Sequence, residues 1–287
     1  MGEIIVGVDE SEHAVTALRW AAHEGQLRGW TITAVMAWGF LDQHQTIVAE
    51  RFDPSYGEDD AAAALGGIVT GALGAEAAGA VERRVVCDLP ARSLLEASAT
   101  ADLLVVGARG MGGFKGLLLG SVSQQCLHHA TTPVAVVRGE PLSGHEARVV
   151  AAVDGSATAH RALAWAVDEA RLRSARLAAV NAWHPPYVGG YPFTGAMLDP
   201  DEFERASRQL LADALQGVDT SGLPAPVEAI SAYGAPAAAI LEHAPGADLI
   251  VMGSRGLGGF KGLLLGSVTV QVIHHAETTV LVIPPSA

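Results

Sequence analysis

Residues 101–137 read ADLLVVGARGMGGFKGLLLGSVSQQCLHHATTPVAVV, and residues 247–283 repeat them as ADLIVMGSRGLGGFKGLLLGSVTVQVIHHAETTVLVI. Most aligned positions are identical, and the loop core GGFKGLLLGSV is unchanged. The distance between the copies is the size of a domain, far longer than the period of a solenoid repeat. The chain of 287 residues is therefore predicted to contain two related domains, each able to bury its own core.

The repeat also predicts the domain boundaries. We expect a first domain at residues 1–138, a linker at 139–147 and a second domain at 148–287. The linker region carries glycine, proline and charge, which is typical of connecting segments. Because the linker is short, the two domains are expected to touch.

Strand and helix patterns alternate within each half. The apolar runs EIIVGV at residues 3–8 and RVVAAV at 148–153 are each followed by apolar residues at helical spacing. Continuous apolar strands suit a parallel sheet that is covered on both faces. Five strands in each half predict an α/β fold of two tandem doubly wound domains, each a five-stranded parallel sheet flanked by helices. One helix is expected over residues 60–78 and another over 203–216, and Trp20 and Trp165 are expected in the core.

Each copy has the spacing G-x2-G-x9-G-S after a buried strand and before a helix. A helix N-terminus carries unpaired N–H groups and partial positive charge, and a glycine there lets an anion approach. Ser121 and Ser267 are expected to cap their helices and to bind a phosphate oxygen. The loops are therefore predicted to bind phosphate. The alternative is that the glycines serve only tight turns and close packing.

The spacing differs from two familiar phosphate-binding motifs. Lys115 and Lys261 lie five residues before the glycine at the helix start, whereas a Walker A lysine directly precedes the helix. The dinucleotide fingerprint follows the first strand, not the fourth. No magnesium-holding carboxylate or positioned base is evident, which favours binding over phosphoryl transfer. For Arg109 and Arg255, contact with phosphate and a solvated surface position both stay open.

Aspartates end the first strand of each half. Asp9 and Asp154 are each followed two residues later by a serine, Ser11 or Ser156, which can cap the next helix or touch a ligand. Ligands of open α/β sheets bind beyond the carboxyl ends of the strands, where the strand order reverses. Asp9 and Gly107 are therefore expected to converge on one crevice.

Composition excludes several classes of partner. The net charge of −13, with no run of Lys and Arg, argues against nucleic acid. No apolar stretch approaches the length of a membrane span, and the N-terminus is unlike a signal peptide. Two cysteines without a CxxC pair suit a reducing cytoplasm. The repeated His-His pairs point in different directions on a helix, so no metal site is expected.

The motifs taken together resemble a known family. VDES and VDGS end the first strands, WAAHEG and WAVDEA lie in the first helices, and ADLLVVG and ADLIVMG precede the glycine loops. Both halves look like the ATP-binding subgroup of the universal stress protein family, and the resemblance covers nearly the whole chain as a tandem pair. The two long loops at residues 39–60 and 184–204 lie outside it.

This resemblance implies an adenine nucleotide alpha hydrolase-like fold and ATP, alone or with Mg²⁺, at two sites per chain. In the family, the aspartate lies by the adenosine, a backbone position after the second strand meets the adenine, and the loop holds the phosphates. With the two loop arginines added, the candidate binding residues are Asp9, Ala37, Gly107, Arg109, Gly110, Gly120, Ser121 and Val122 in the first half, and Asp154, Ala182, Gly253, Arg255, Gly256, Gly266, Ser267 and Val268 in the second. No catalytic residue is expected.

The resemblance further implies a cytoplasmic regulator of the stress response, dormancy or growth. It would act through bound nucleotide on an unknown protein partner, without nucleic acid or membrane. The last strands of the two domains would pair into an intramolecular pseudo-dimer, and a homodimer stays open. The alternatives are a slow ATPase or an adenylyl- or phosphoryl-transferring enzyme that uses the same pockets, and a scaffold in which nucleotide only stabilises the fold.

Overall fold

The computed structural model describes residues 2–38, 56–110, 118–139, 146–184, 199–257 and 265–285. The chain divides into two compact units, Met1–Pro141 with Glu277–Ala287, and Leu142–Ala276. Strands and helices alternate in both, and the sheets are largely parallel, which confirms the predicted fold class. Among the described residues, no helix combines the length and the apolar character needed to cross a bilayer.

The first repeat forms five strands and five described helices. They are β1 Glu3–Gly7, α1 Glu12–Arg28, β2 Thr31–Trp38, α2 Glu58–Leu73, α3 Ala75–Ala78, β3 Val81–Cys87, α4 Pro90–Ser98, β4 Leu103–Gly107, α5 Ser121–His129 and β5 Val134–Val137.

The second repeat follows the same order with four described helices. They are β6 Arg148–Ala152, α6 Ala157–Arg173, β7 Arg176–Trp183, α7 Pro200–Gln216, β8 Glu228–Tyr233, α8 Pro236–Glu242, β9 Leu249–Gly253, α9 Ser267–His275 and β10 Thr279–Ile283.

The strand order places the site within each unit. In the first unit the order is β3-β2-β1-β4-β5-β10, and in the second it is β9-β6-β7-β8. The order reverses between β1 and β4, and likewise between β6 and β9, which is where doubly wound sheets open a crevice. β10, the last strand of the second repeat, belongs to the first unit and pairs antiparallel with β5. The pairing of last strands that the resemblance implied is therefore present.

Two helix predictions need correction. The single helix expected over residues 60–78 begins at Glu58 and divides into α2 and α3 at Gly74, whose φ of 80° lies outside the helical region. The helix expected to begin at Phe203 begins at Pro200, because Asp199 caps it and proline suits the first turn.

The central strands form the core of each unit. Leu103 and Leu104 on β4 are fully buried, as the continuous apolar runs predict. Trp20 is 6% exposed, which confirms its core position. Trp165, its counterpart on α6, is only partly buried, so its predicted core position is wrong. An amphipathic indole can lie across the edge of the apolar face and still satisfy helical periodicity.

The two cysteines differ in accessibility, and this gives a first prediction. Cys126 is buried on α5, and burial raises the pKa of its thiol to about 12, whereas Cys87 is exposed at the end of β3. The thiolate is the reactive form. A thiol reagent should therefore label Cys87 in the native protein and Cys126 only in denaturant. Rapid native labelling of both thiols, counted by intact mass, would contradict this packing of α5.

Candidate functional site

The strand register brings the two halves of the predicted motif to one edge. β1 pairs with β2 so that Gly7 lies beside Val35, and continuing that register places Asp9 level with Ala37. β1 pairs with β4 so that Val6 lies beside Val105, which places Gly107 level with Val8. The second unit has the same arrangement of Asp154, Ala182 and Gly253. The predicted convergence at the carboxyl edge is confirmed.

Asp9 and Asp154 first of all fix the start of a helix. The Asp9 Oδ1 atom accepts the Ser11 N–H at 3.0 Å and the Ser11 hydroxyl at 2.5 Å. The hydroxyl oxygen of Ser11 accepts the N–H of Ala14 at 3.1 Å, so Ser11 caps α1. Ser156 caps α6 in the same way. The prediction that these serines cap the helices is therefore confirmed.

Each aspartate also lies against the glycine loop, a contact that the sequence did not predict. A Cβ atom added to Gly110 would lie 2.5 Å from the Asp9 Oδ2 atom. A Cβ atom on Gly256 would overlap the Asp154 Oδ2 atom, which accepts the N–H of Leu257 at 3.0 Å. A larger residue at the middle glycine of either loop would therefore have to displace the carboxylate that packs on its backbone.

The first glycine of each loop makes room for a helix. A Cβ atom on Gly107 would lie 2.7 Å from the carbonyl oxygen of His13 in the first turn of α1. On Gly253 it would lie 2.8 Å from the Oγ1 atom of Thr158 on α6. Close packing of a helix against the strand therefore accounts for these two glycines. The contact fixes the start of the glycine loop against α1 or α6.

The third glycine of each loop is the N-cap of a helix and provides no side-chain cap. Gly120 and Gly266 are the N-cap residues of α5 and α9, and glycine has no side chain to accept the first N–H groups. Ser121 and Ser267 are the first helical residues, so the prediction that they cap the helices is wrong. Their N–H groups and those of Val122 and Val268 belong to the helix turn that lacks intrahelical acceptors.

A matched pair of hydroxyl groups ties this helix start to the strand end. The Ser123 hydroxyl donates to the Gly107 carbonyl at 2.7 Å, and the Thr269 hydroxyl donates to the Gly253 carbonyl at 3.0 Å. The N–H of Gly120 also donates to the carbonyl of Ala108 at 2.8 Å. The helix N-terminus is thus held rigidly beside the carboxyl end of β4 or β9, with its positive end toward the crevice.

The two residues expected to meet the adenine, Ala37 and Ala182, lie slightly earlier in the fold than the resemblance implies. Ala37 and Ala182 are the second-last residues of β2 and β7, so they lie inside these strands and not after them. Both are partly buried at the same edge as the aspartates. The segments that follow them, residues 39–55 and 185–198, lie outside the described residues, as do Lys115 and Lys261.

The first half carries a cationic group that sequence reasoning missed. Arg109 Nε donates to His13 Nε2 at 3.1 Å, and Arg138, directly after β5, donates to the carbonyl of Leu118. Burial and the nearby Arg109 charge lower the pKa of Arg138. The available signal was a charged residue at the end of an apolar strand, VAVVR, which the second copy lacks.

The pKa of His13 depends on the charges of Arg109 and Arg138, and this gives a second prediction. Desolvation chiefly, with the charges of Arg109 and Arg138, lowers its pKa below 6.5 against the opposing Glu12 and Asp9. Because the fold favours the neutral ring, His13 stabilises the fold above pH 6.5, and this contribution is lost as pH falls through its folded pKa.

An NMR titration of His13 should therefore show a midpoint below 6.5, and Arg109→Gln should raise it. The control is Arg84→Gln, which removes an exposed arginine from β3 and should leave the His13 midpoint unchanged. A His13 midpoint that does not respond to loss of Arg109 would show that the two side chains are apart in solution.

The repeated histidine pairs lie at the ends of α5 and α9. The rings of His128 and His129 meet at an interplanar angle of 62° with centroids 6.2 Å apart. Within the part of the chain that the structure describes, no group of three His, Cys, Asp or Glu side chains could hold a metal ion.

Taken as a whole, each site combines an open helix N-terminus, a loop arginine and a carboxylate on the side of β1 or β6. Partial positive charge and unpaired N–H groups are suited to an oxyanion such as phosphate. The carboxylate and the strand edge beside it are suited to a neutral group with hydrogen-bond donors. The arrangement fits a ligand that is anionic at one end and polar at the other.

Comparisons with known proteins agree with this fold. The model of the universal stress protein family matches residues 1–138 and 147–284. A universal stress protein of Mycolicibacterium smegmatis is 36% identical over 294 residues, covering 98% of this chain and 97% of the relative. The crystal structure of a universal stress protein from Archaeoglobus fulgidus DSM 4304 has a TM-score of 0.66 at 23% identity, covering 98% of this chain and 95% of its own. A universal stress protein solved in complex with cAMP is 28% identical and covers 48% of this chain and 97% of its own, with a TM-score of 0.36.

Proposed function

The chain belongs to the universal stress protein family, and we propose that it is an ATP-binding regulator of the stress response, dormancy or growth. Each half holds one nucleotide at the carboxyl edge of its sheet. Nucleotide occupancy sets the affinity for a protein partner, and the protein acts in the cytoplasm without consuming ATP. Such a regulator works because a ligand that prefers one conformation shifts the population toward it.

One observation carries this proposal. In both halves a helix begins at a glycine N-cap, Gly120 or Gly266, beside a loop arginine at the point where the strand order reverses. Charge-assisted hydrogen bonds to such N–H groups contribute about 1.5–3 kcal/mol each. Three or four of them give roughly micromolar affinity after the costs of association.

The resemblance to the family supports a position for the rest of the ligand along the same edge. With the phosphates at the start of α5, the ribose and adenine extend along the edge toward Asp9 and Ala37. The Asp9 carboxylate lies against Gly110, and a carboxylate oxygen can accept more than one hydrogen bond, which suits a ribose hydroxyl. A Mg²⁺ ion bound together with ATP would offset part of the charge of the phosphates.

The competing reading is an enzyme that hydrolyses ATP or transfers its phosphoryl or adenylyl group. Incubation of the protein with ATP, followed by chromatography of the nucleotides, separates the two. We expect bound ATP to be recovered unchanged over many times the residence time of the ligand. Steady production of ADP or AMP that is lost in Gly120→Glu/Gly266→Glu would overturn the non-catalytic proposal.

A further inference from the structure

The two nucleotide sites are unequal in charge. In the first half, His13 occupies the position in α1 that Thr158 occupies in α6, since each side chain lies against the first loop glycine. Arg138 aligns in the repeat with Pro284, since VAVVR at residues 134–138 corresponds to VLVIP at 280–284. The loop arginine and the loop lysine are common to both halves. At these two aligned positions the first site therefore has His13 and Arg138 where the second site has Thr158 and Pro284.

The extra groups come from separate elements and meet beside the glycine loop. His13 lies in the first turn of α1, Arg109 follows β4, and Arg138 follows β5. The Arg109 and Arg138 charges both lower the pKa of His13, and Arg109 lowers that of Arg138. The contacts agree with this: Arg109 Nε donates to His13 Nε2 at 3.1 Å, and Arg138 donates to the carbonyl of Leu118, two residues before Gly120, where an added Cβ atom would lie 3.3 Å from the Arg109 Cα atom. In the second half the Thr158 hydroxyl instead donates to the carbonyl of Arg255 at 2.5 Å, a neutral contact.

The Arg138 guanidinium group is partly buried, and only some of its N–H donors have hydrogen-bond partners among the described residues. Its Nη2 group donates to the carbonyl of Leu118, two residues before the N-cap of α5. Its Nε atom is buried, and among the described residues it has no hydrogen-bond partner. No carboxylate of the described residues forms an ion pair with Arg138 or Arg109. The Arg109 and Arg138 charges repel each other, and a bound anion relieves that repulsion.

Resting on the proposed function, we infer that the first site is selective for a nucleoside triphosphate over a monophosphate, and that Arg138 determines this selectivity. Each phosphate adds negative charge and acceptor oxygens. In the first site the Arg109 and Arg138 guanidinium groups bind the phosphates beyond the first one. The planar guanidinium group suits the geometry of phosphate oxygens. The second site lacks the Arg138 contribution and discriminates less by phosphate number.

The test uses full-length chains with one site disabled. Gly266→Glu leaves only the first site, and Gly120→Glu leaves only the second. Isothermal titration with ATP and with AMP then gives an affinity ratio for each site. We expect this ratio to be at least about tenfold larger in the first site, the effect of one added charge-assisted bond. Equal ratios would overturn the inference and leave the proposed function intact. Absence of binding in both chains and in the wild type would instead remove the proposed function.

Arg138 itself is tested in the chain that keeps only the first site. Arg138→Gln should weaken ATP about tenfold and AMP by less than about threefold, and Arg138→Lys should recover part of the ATP affinity. The matched control is Arg84→Gln, which removes an exposed arginine from β3 and should leave both affinities unchanged. Equal losses for ATP and AMP in Arg138→Gln would mean that Arg138 only supports the loop, and would overturn its assignment as the selectivity residue.

Discussion

Gly120→Glu is expected to abolish ATP binding in the first half and to leave the second half able to bind one nucleotide. The new carboxylate would stand at the helix start, whose first N–H groups we propose as the phosphate ligands. Repulsion between the two anions and loss of the N–H contacts should cost well over about 1.4 kcal/mol, which is more than tenfold in affinity. Calorimetry should show the binding stoichiometry fall from about two to about one.

The fold should tolerate this change, which makes the result interpretable. A Cβ atom on Gly120 would lie 3.3 Å from the Arg109 Cα atom and 3.4 Å from the Gly110 nitrogen, a tight contact that small shifts can relieve. A carboxylate at a helix N-terminus is electrostatically favourable. Gly120→Gln, of the same shape without charge, should lose less affinity than Gly120→Glu. Unchanged stoichiometry in a folded Gly120→Glu protein would show that this helix start does not bind phosphate.

Gly107→Ala is expected to destabilise the first unit by about 1–3 kcal/mol, the usual range for an overpacked site. The added methyl group would lie 2.7 Å from the carbonyl oxygen of His13 and 2.8 Å from its carbonyl carbon. These are backbone atoms in the first turn of α1, so the helix itself must move away from β4. Because Asp9 and Ser11 are fixed by the same turn, the displacement should also weaken nucleotide binding in this half.

Gly67→Ala provides the matched control with the opposite sign. Gly67 lies within α2, and an added Cβ atom would meet nothing within 4 Å. Alanine in an exposed helix interior should stabilise the protein by about 0.5–1 kcal/mol. Denaturant unfolding of the two variants checks both values. A Gly107→Ala protein as stable as the Gly67→Ala protein would be incompatible with the close approach of α1 to β4.

The sequence predicted the strands and the edge where the motifs meet, because these depend on short-range patterns. Apolar runs at residues 3–8 and 148–153 identify buried strands whatever surrounds them. Helix boundaries were less predictable, since one residue such as Gly74 or Asp199 decides them. Trp165 lies on the apolar face of its helix and is still partly exposed. Periodicity predicts which face of a helix a residue occupies, but it does not predict how deeply the side chain is buried.

The site was predictable where the repeat preserved it and not where the halves differ. Gly110 and Gly256 were predicted as binding residues from the repeat, but their contact with an aspartate depends on two segments about a hundred residues apart. Arg138 was missed because it occurs in one copy only, and no local pattern links the end of β5 to the glycine loop. The difference between the two sites is therefore evident only from the side-chain contacts of the folded protein.

The central claim is that each glycine loop holds the phosphates of one ATP molecule. The most direct test is the nucleotide content of the purified protein, released by denaturation and separated by ion-exchange chromatography. We predict about two adenine nucleotides per chain, chiefly ATP, and none in Gly120→Glu/Gly266→Glu. A wild-type protein that carries no nucleotide and binds none on titration with ATP would contradict the account, and its glycines would then serve packing alone.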